Sequence, residues 1–335
     1  MFGLARPLMF LLLPLGAVAN GPSSPQDPEA VGTESAVDGT LLSFKEADAR
    51  LTVQVAVGNR GPYNFIIDTG AERTVVSSQL AGQLQLAPGA PINLTSMTER
   101  STVDTVIVPE LSIESIGIRH TIIAPSLDQR HLGAAGLLGI DTLASHRVSI
   151  DFETGVMTVN PSQPNRKARP EDSDEIVVTA KSKFGQLIVT DAYYGGTRIQ
   201  VVLDTGSAVS MGNESLRKLV GRRMRGGLRS IELTSVTGGK LMAQYTLVPD
   251  VRIGEVQFDT LPVAFAEVAP FKRFGLTRRP ALLLGMDALR SFRRVDIDFP
   301  NRQVRFLMQR GAGRKRSNLP GPQPGGSTRT PEYMR

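Results

Sequence analysis

Cysteine and tryptophan are absent from this chain of 335 residues, and aromatic residues make up only 5% of it. Without cysteine the chain can form no disulfide, no thiolate metal site and no thiol nucleophile. Small secreted domains often need disulfides, but domains of ordinary size do not. With so few aromatic residues, the sequence also offers no basic stacking surface for nucleic acid. These absences exclude cysteine chemistry and argue against a nucleic-acid partner.

Net charge is also absent from most of the chain. One unit of the formal net charge of +6 belongs to residues 1–19 and five belong to residues 310–335, which leaves residues 20–309 neutral. Residues 310–335 are rich in Gly, Pro, Ser and Arg, which predicts a disordered basic tail. Such a tail could make weak contacts with an anionic surface, but a solvated tail without a specific partner is the better interpretation.

The N-terminus predicts export. Residues 1–19 combine Arg6, the apolar stretch Leu8–Leu15 and the small residues Ala17 and Ala19, which is typical of a secretory signal. Residues 20–38 are interpreted as a flexible leader. The predicted location is therefore periplasmic or secreted, and a protein without cysteine fits a bacterial periplasm best. The alternative is a protein anchored by an uncleaved signal.

An internal repeat gives the domain organisation. Five blocks recur in the same order: 65–71 (FIIDTGA) with 201–207 (VVLDTGS), 92–98 (INLTSMT) with 231–237 (IELTSVT), 108–109 with 248–249 (both VP), 137–141 (LLGID) with 283–287 (LLGMD), and 150–152 with 297–299 (both IDF). The chain is thus interpreted as a tandem duplication. The predicted lobes are residues 39–160 and 176–309, joined by a proline-rich linker at 161–175.

Each copy has the pattern of an all-β unit. Short apolar runs are bounded by Gly, Pro and Asn, which indicates a barrel or sandwich. Two short helices per copy are also expected. Ser78 and Asn213 are predicted to cap the first helix of each copy, and Asp141 and Asp287 the second. Asp298 is expected on an exposed strand or turn face.

One Asp-Thr-Gly triplet in each copy carries the candidate chemistry: Asp68, Thr69 and Gly70, and Asp204, Thr205 and Gly206. Each triplet ends an apolar strand, where a carboxylate is costly unless it is hydrogen-bonded. Glycine allows a tight turn that turns backbone N–H groups toward the carboxylate, and threonine adds a hydroxyl.

A pseudo-twofold axis between the copies would bring the two aspartates together. Two close carboxylates do not both ionise easily, so they share a proton and titrate as a pair. One can then act as base toward water while the other donates a proton to a carbonyl oxygen. This chemistry needs no cofactor and no metal, and the three histidines, at 120, 131 and 146, lack metal-ligand spacing.

The two triplets, together with the Leu-Leu-Gly sequences at 137–139 and 283–285, resemble those of aspartic peptidases, and the retropepsin-like branch more than pepsin itself. The resemblance covers about residues 45–160 and 180–308. It implies a bilobal acid-protease fold with a cleft, peptide or protein substrates and the catalytic pair Asp68 and Asp204. It also implies that Thr69 and Thr205 hydrogen-bond across the axis and that Gly70 and Gly206 support the active-site loops.

The chain departs from viral retropepsins at three positions. Ile140 and Met286 replace the arginine that follows the apolar-apolar-Gly sequence there. Its acidic partner is kept as Glu72 in the first copy but is Ala208 in the second. The ion pair of the viral enzymes is therefore not expected here.

The resemblance further implies a β-hairpin flap over the substrate. By position, Thr98, Glu99 and Arg100 are the flap candidates of the first copy, and Thr237, Gly238 and Gly239 those of the second. A Gly-Gly pair suits a tight hairpin tip. Which hairpin covers the substrate stays open, and either tip could be an ordinary β-turn.

Two alternatives accompany the predicted function of a monomeric aspartic endopeptidase. The first is a non-catalytic peptide-binding protein that kept the fold, and the second is a processing enzyme with few partners. Within the predicted site, Ser207 breaks the symmetry, because Ala71 occupies its place in the first copy. A hydroxyl donated by Ser207 would make Asp204 the more acidic residue and leave the shared proton on Asp68.

Overall fold

The computed structural model describes residues 40–43, of which only the backbone is considered, together with residues 52–113, 116–164, 174–221 and 228–310. The predicted signal at 1–19 and the leader at 20–38 lie outside the described residues. So do residues 165–173 of the predicted linker and residues 311–335 of the predicted tail. In the part of the chain that is described, no helix has both the length and the apolar character needed to cross a membrane.

The first half of the chain is built of short strands and three short helices. They are β1 (Thr40–Ser43), β2 (Thr52–Val57), β3 (Arg60–Ile67), β4 (Val75–Ser77), α1 (Ser78–Leu84), β5 (Ala87–Thr95), β6 (Arg100–Ile113), β7 (Gly117–Leu127), α2 (Gln129–Leu132), β8 (Gly136–Leu138), α3 (Ile140–Leu143), β9 (His146–Asp151) and β10 (Val156–Pro161).

The second half repeats these elements one for one. They are β11 (Glu175–Lys183), β12 (Gln186–Tyr194), β13 (Thr197–Leu203), β14 (Met211–Gly212), α4 (Glu214–Gly221), β15 (Arg229–Thr234), β16 (Lys240–Ile253), β17 (Val256–Phe265), α5 (Ala269–Arg273), β18 (Ala281–Leu284), α6 (Met286–Leu289), β19 (Arg294–Asp298) and β20 (Gln303–Leu307).

The sheet topology is the same in both halves. In the first lobe the strands run in the order β2-β3-β8-β4-β7-β6-β5, and β2 also pairs with β6. In the second lobe the order is β12-β13-β18-β14-β17-β16-β15, and β12 also pairs with β16. The additional pairing curls each sheet back on itself. The predicted fold class, all-β and bilobal with short helices, is confirmed.

A central sheet joins the lobes, in the order β1-β10-β9-β19-β20-β11. Strand β9 of the first half pairs with β19 of the second half in antiparallel orientation. Two ion pairs are buried in this sheet: Arg147 with Asp296 at 2.5 Å, and Arg305 with Glu175 at 2.9 Å. Arg294 also lies 3.6 Å from Glu175 and 3.3 Å from Asp296, so the two pairs form one network.

The expectation that Asp298 is exposed is wrong. Its carboxylate, at the end of β19, is buried and accepts hydrogen bonds from Ser162 Oγ at 2.9 Å and from Asn301 N at 3.1 Å. The two donors offset the cost of removing the charge from water. Asp298 therefore ties the segment after β10 to the turn after β19.

The helix caps differ from the predicted ones in three of four cases. Asn213 accepts from Leu216 N at 2.8 Å and caps α4 as predicted. Helix α1 is capped by Ser77, one residue before the predicted Ser78. Helices α3 and α6 begin after Gly139 and Gly285, so Asp141 and Asp287 lie in the first turn and their carboxylates are available for other partners.

Candidate active site

The two Asp-Thr-Gly turns are held by the parallel strand pairs at the centre of each lobe. Strand β3 pairs with β8, and β13 pairs with β18. At the end of each pair the aspartate N–H donates to a leucine carbonyl: Asp68 N to Leu138 O and Asp204 N to Leu284 O, both at 3.0 Å. The buried Leu-Leu-Gly strands thus fix the backbone from which both carboxylates project.

The two threonines interlock across the pseudo-twofold axis. Thr69 N donates to Thr205 Oγ1 at 3.1 Å, and Thr205 N donates to Thr69 Oγ1 at 3.1 Å. Each hydroxyl then donates to a carbonyl of the opposite lobe, Thr69 to Leu203 O at 3.1 Å and Thr205 to Ile67 O at 2.8 Å. Both side chains are buried. This set of four hydrogen bonds fixes the two turns relative to each other.

Each carboxylate receives two backbone N–H groups from its own turn. Asp68 Oδ1 accepts from Gly70 N at 2.8 Å and Ala71 N at 2.9 Å. Asp204 Oδ1 accepts from Gly206 N at 3.1 Å and Ser207 N at 3.2 Å. The shorter bonds at Asp68 favour its charged form more strongly.

The two aspartates face each other. Burial, followed by the negative charge of Asp68, raises the pKa of Asp204 to about 7, although the N–H donors of Gly206 and Ser207 act in the opposite direction. By surface area Asp204 is half-buried, but its carboxyl lies deep among protein atoms at the bottom of the cleft. Burial and the charge of Asp68 therefore favour the protonated form of Asp204.

The raised pKa of Asp204 is opposite in direction to the effect expected from the Ser207 hydroxyl. The Ser207 hydroxyl donates to Val209 O at 2.8 Å, so its proton is not available to Asp204. Only the backbone N–H of Ser207 reaches the carboxylate, and Ala71 supplies the same group to Asp68. The hydroxyl hypothesis is wrong because a nearer carbonyl takes the donor.

Asp141 and Asp287 accept hydrogen bonds from the active-site loops, a role that the sequence analysis missed. Asp141 Oδ1 accepts from Thr74 N at 2.9 Å and from Thr74 Oγ1 at 2.8 Å. In the second lobe, Asp287 accepts from Ser210 N at 3.0 Å and from Ser210 Oγ at 2.6 Å. Burial raises the pKa of Asp287, and the Ser210 donors partly offset this. Thr74 and Ser210 occupy equivalent positions in the repeat, and this equivalence could have indicated the two contacts from the sequence.

The predicted flap residues meet at the tips of two hairpins, β5–β6 and β15–β16. Thr98 Oγ1 donates to Ser235 Oγ at 3.3 Å, and Thr237 Oγ1 donates to Ser96 Oγ at 3.1 Å. Gly239 packs against Thr98, while Gly238, at φ +84°, packs against the His131 ring. Glu99 N donates to Ser96 Oγ at 3.4 Å, and Arg100 is exposed at the start of β6. The tips of the two hairpins are therefore hydrogen-bonded to each other.

A cavity of about 210 Å³ lies under these tips. The two lobes supply its apolar walls: Val75, Ile92, Leu94, Leu127 and Leu137 from the first, and Met211, Val236, Pro270, Phe274 and Leu283 from the second. Ser96, Met97 and Val236, rather than Thr98 or Gly239, border the cavity from the flaps. Ligand pockets usually enclose about 300–1,000 Å³. The cavity is smaller than this range.

Gln186 is a second residue at the site that sequence reasoning missed. It begins β12, is buried and borders the cavity, and its Nε2 donates to Gly70 O. Its Oε1 is buried and has no hydrogen-bond partner among the described residues. No sequence pattern predicts this contact, because it joins the second half of the chain to the turn of the first half.

Comparison with known families gave one match in each lobe. Residues 53–145 match the family model of gag-polyprotein aspartyl proteases, and residues 190–288 match the aspartyl protease family model. The two matched segments contain the two interlocked turns described above. A search of curated proteins gave no match.

Proposed function

With its two aspartyl protease domains in tandem, this chain belongs to the retropepsin-like aspartic peptidases with duplicated lobes, and on that premise we propose that it is an endopeptidase that uses Asp68 and Asp204 as its catalytic pair. Protease domains imply peptide or protein substrates. The observation that carries the proposal is that the two carboxylates face each other across the hydrogen-bonded threonines. The pKa of one of the two carboxyls, that of Asp204, is raised to about 7.

The mechanism follows from the different environments of the two aspartates. Asp68, with the shorter backbone hydrogen bonds, is the carboxylate that removes a proton from water. Below its pKa of about 7, Asp204 carries a proton and donates it to the oxygen of the scissile carbonyl. Water forms the new bond to the carbonyl carbon, and the C–N bond breaks when the amine leaves with a proton. Because one chain supplies both aspartates, we propose that the monomer is active.

Activity is expected to fall as the pH rises past about 7. Above its pKa, Asp204 loses the proton that it must donate, and below the pKa of the base the second carboxylate becomes protonated. A plot of kcat/KM from pH 3 to 9, with a peptide that has no titratable group in this range, would show the upper limb. Activity that stays constant up to pH 9 would contradict the role of Asp204 as acid.

Cleavage of a peptide library tests the proposed function directly. Wild type is expected to release products from extended peptides with apolar residues around the scissile bond, because both walls of the cavity are apolar. Mass spectrometry would identify the bonds cut between about pH 4 and 7. The double variant Asp68→Asn/Asp204→Asn controls for contaminating proteases. Binding of library peptides without cleavage would instead support the alternative of a peptide-binding protein.

A further inference from the structure

A second groove opens beyond one end of the catalytic cleft. Glu72, Arg73 and Arg273 border both spaces, so the groove is continuous with the cleft. Its outer part is formed by Phe184 and Ile123, whose side chains are each 51% exposed. A peptide that extends past the cleft at this end would pass along these residues.

Two arginines and two acidic residues border the groove: Arg73 and Arg273, with Glu72 and Asp141. Arg273 forms an ion pair with Glu72, and its guanidinium lies 4.9 Å from the centre of the Phe184 ring. Arg73 is exposed and has no ion pair or hydrogen bond from its side chain within the described parts of the chain. Glu72 thus pairs with Arg273, and the Asp141 carboxylate accepts from Thr74 N and Thr74 Oγ1, so the Arg73 guanidinium is left for another partner.

The opposite end of the cleft lacks this arrangement. The residues equivalent to Glu72 and Arg73 in the second copy are Ala208 and Val209. Among the described residues that border the cleft, the charged side chains other than the two aspartates are Glu72, Arg73 and Arg273. A substrate that runs the length of the cleft therefore meets the Arg73 guanidinium on one side of the scissile bond.

We propose that the groove around Arg73, Phe184 and Ile123 is an extended substrate subsite that binds an acidic side chain of the peptide next to an apolar one. The subsite rests on the proposed peptidase function and adds a charge preference to it. The Arg73 guanidinium pairs with the carboxylate in bidentate geometry, while Phe184 and Ile123 contact the apolar neighbour. The charged residue lies outside the cleft, removed from the scissile bond.

A substituted peptide series tests this subsite. A cleaved parent peptide is varied to Glu, Gln or Lys at each position outside the cleft, on both sides of the scissile bond. At one position on one side, wild type is expected to favour Glu over Gln by about 2- to 5-fold in kcat/KM, the range typical of an exposed ion pair. The preference should shrink at high ionic strength, because salt screens exposed charges.

Variants assign the preference to Arg73. Arg73→Gln is expected to bring the Glu-to-Gln ratio close to one, and Arg73→Glu to favour Lys instead. Arg278→Gln is the matched control, since Arg278 is exposed and borders neither space. A Glu preference that survives in Arg73→Gln, or that occurs at no position, would overturn the subsite.

Binding separates this proposal from the peptidase function. The Kd values of the Glu and Gln peptides are measured by fluorescence anisotropy with the wild-type protein and with Asp68→Asn. If wild type cleaves no peptide, the proposed function fails, but the same Glu-to-Gln ratio in Kd, lost in Arg73→Gln, still supports the subsite. Equal Kd values for both peptides would reject it.

Discussion

Asp204→Asn is expected to abolish cleavage and, near neutral pH, to make the protein more stable than wild type. The loss of activity follows from the loss of the acid, since a positioned general acid contributes about 10²- to 10⁴-fold to the rate. The gain in stability follows from the cost of ionising Asp204. Its pKa rises from 3.8 in the unfolded chain to about 7 in the fold, chiefly because of burial and then because of the charge of Asp68.

The direction of the pH effect is fixed by proton binding. Between pH 3.8 and about 7 the folded protein holds a proton at Asp204 that the unfolded chain does not hold. Stability from this group is fully present below pH 3.8 and is lost as the pH rises through about 7. Each pKa unit corresponds to about 1.4 kcal/mol. Asparagine keeps the acceptor for Gly206 N and Ser207 N but does not ionise, so the variant should avoid this loss.

Thermal unfolding between pH 4 and 8 measures the effect. The Tm of wild type should fall relative to that of Asp204→Asn as the pH approaches 7, and the two should converge near pH 4. Ser207→Ala is the matched control, because the Ser207 hydroxyl is bonded to Val209 O and should not shift the pKa of Asp204. A constant difference in Tm across the whole range would show that Asp204 is ionised throughout.

The repeat made the fold predictable from the sequence. Each Asp-Thr-Gly follows an apolar strand, and a duplicated unit places equivalent residues at a common axis. Strand pairing across this axis then follows from the need to bury both apolar runs. The cross-axis hydrogen bonds of Thr69 and Thr205 could be expected from the resemblance, since both residues recur in the same position.

Contacts that break the repeat could not be predicted in this way. Gln186 donates a hydrogen bond to Gly70 O. No equivalent contact in the other direction is found among the described residues, so the repeat does not predict this bond. The direction of the Ser207 hydroxyl depends on a rotamer and on the nearby Val209 carbonyl. The burial of Asp298 depends on Asn301 and Ser162, of which Ser162 is distant in sequence. Each case is decided by local geometry rather than by residue type.

Gly206→Ala is expected to reduce kcat/KM by about 100-fold or more. A Cβ at this position would lie 2.2 Å from Asp68 Cγ and 2.4 Å from both carboxylate oxygens. Because real Cβ contacts are longer than 3.0 Å, the methyl group must displace the Asp68 carboxylate by close to 1 Å. Displacements of that size in a reacting group can cost about 10²-fold in rate. The variant should still fold, since the methyl group meets a side chain rather than the central sheet.

The repeat supplies a graded comparison for this prediction. At Gly70, the equivalent position, a Cβ would lie 2.6 Å from Asp204 Oδ1, so Gly70→Ala should displace its carboxylate less and lose less activity. Gly82→Ala, in α1, is the control, because no atom lies within 4 Å of its Cβ and alanine favours a helix over glycine by about 1 kcal/mol. Steady-state kinetics and Tm for the three variants separate positioning from stability. If Gly206→Ala kept the wild-type kcat/KM, the prediction would be wrong. Close packing of each carboxylate against the turn of the opposite lobe would then not be required for activity.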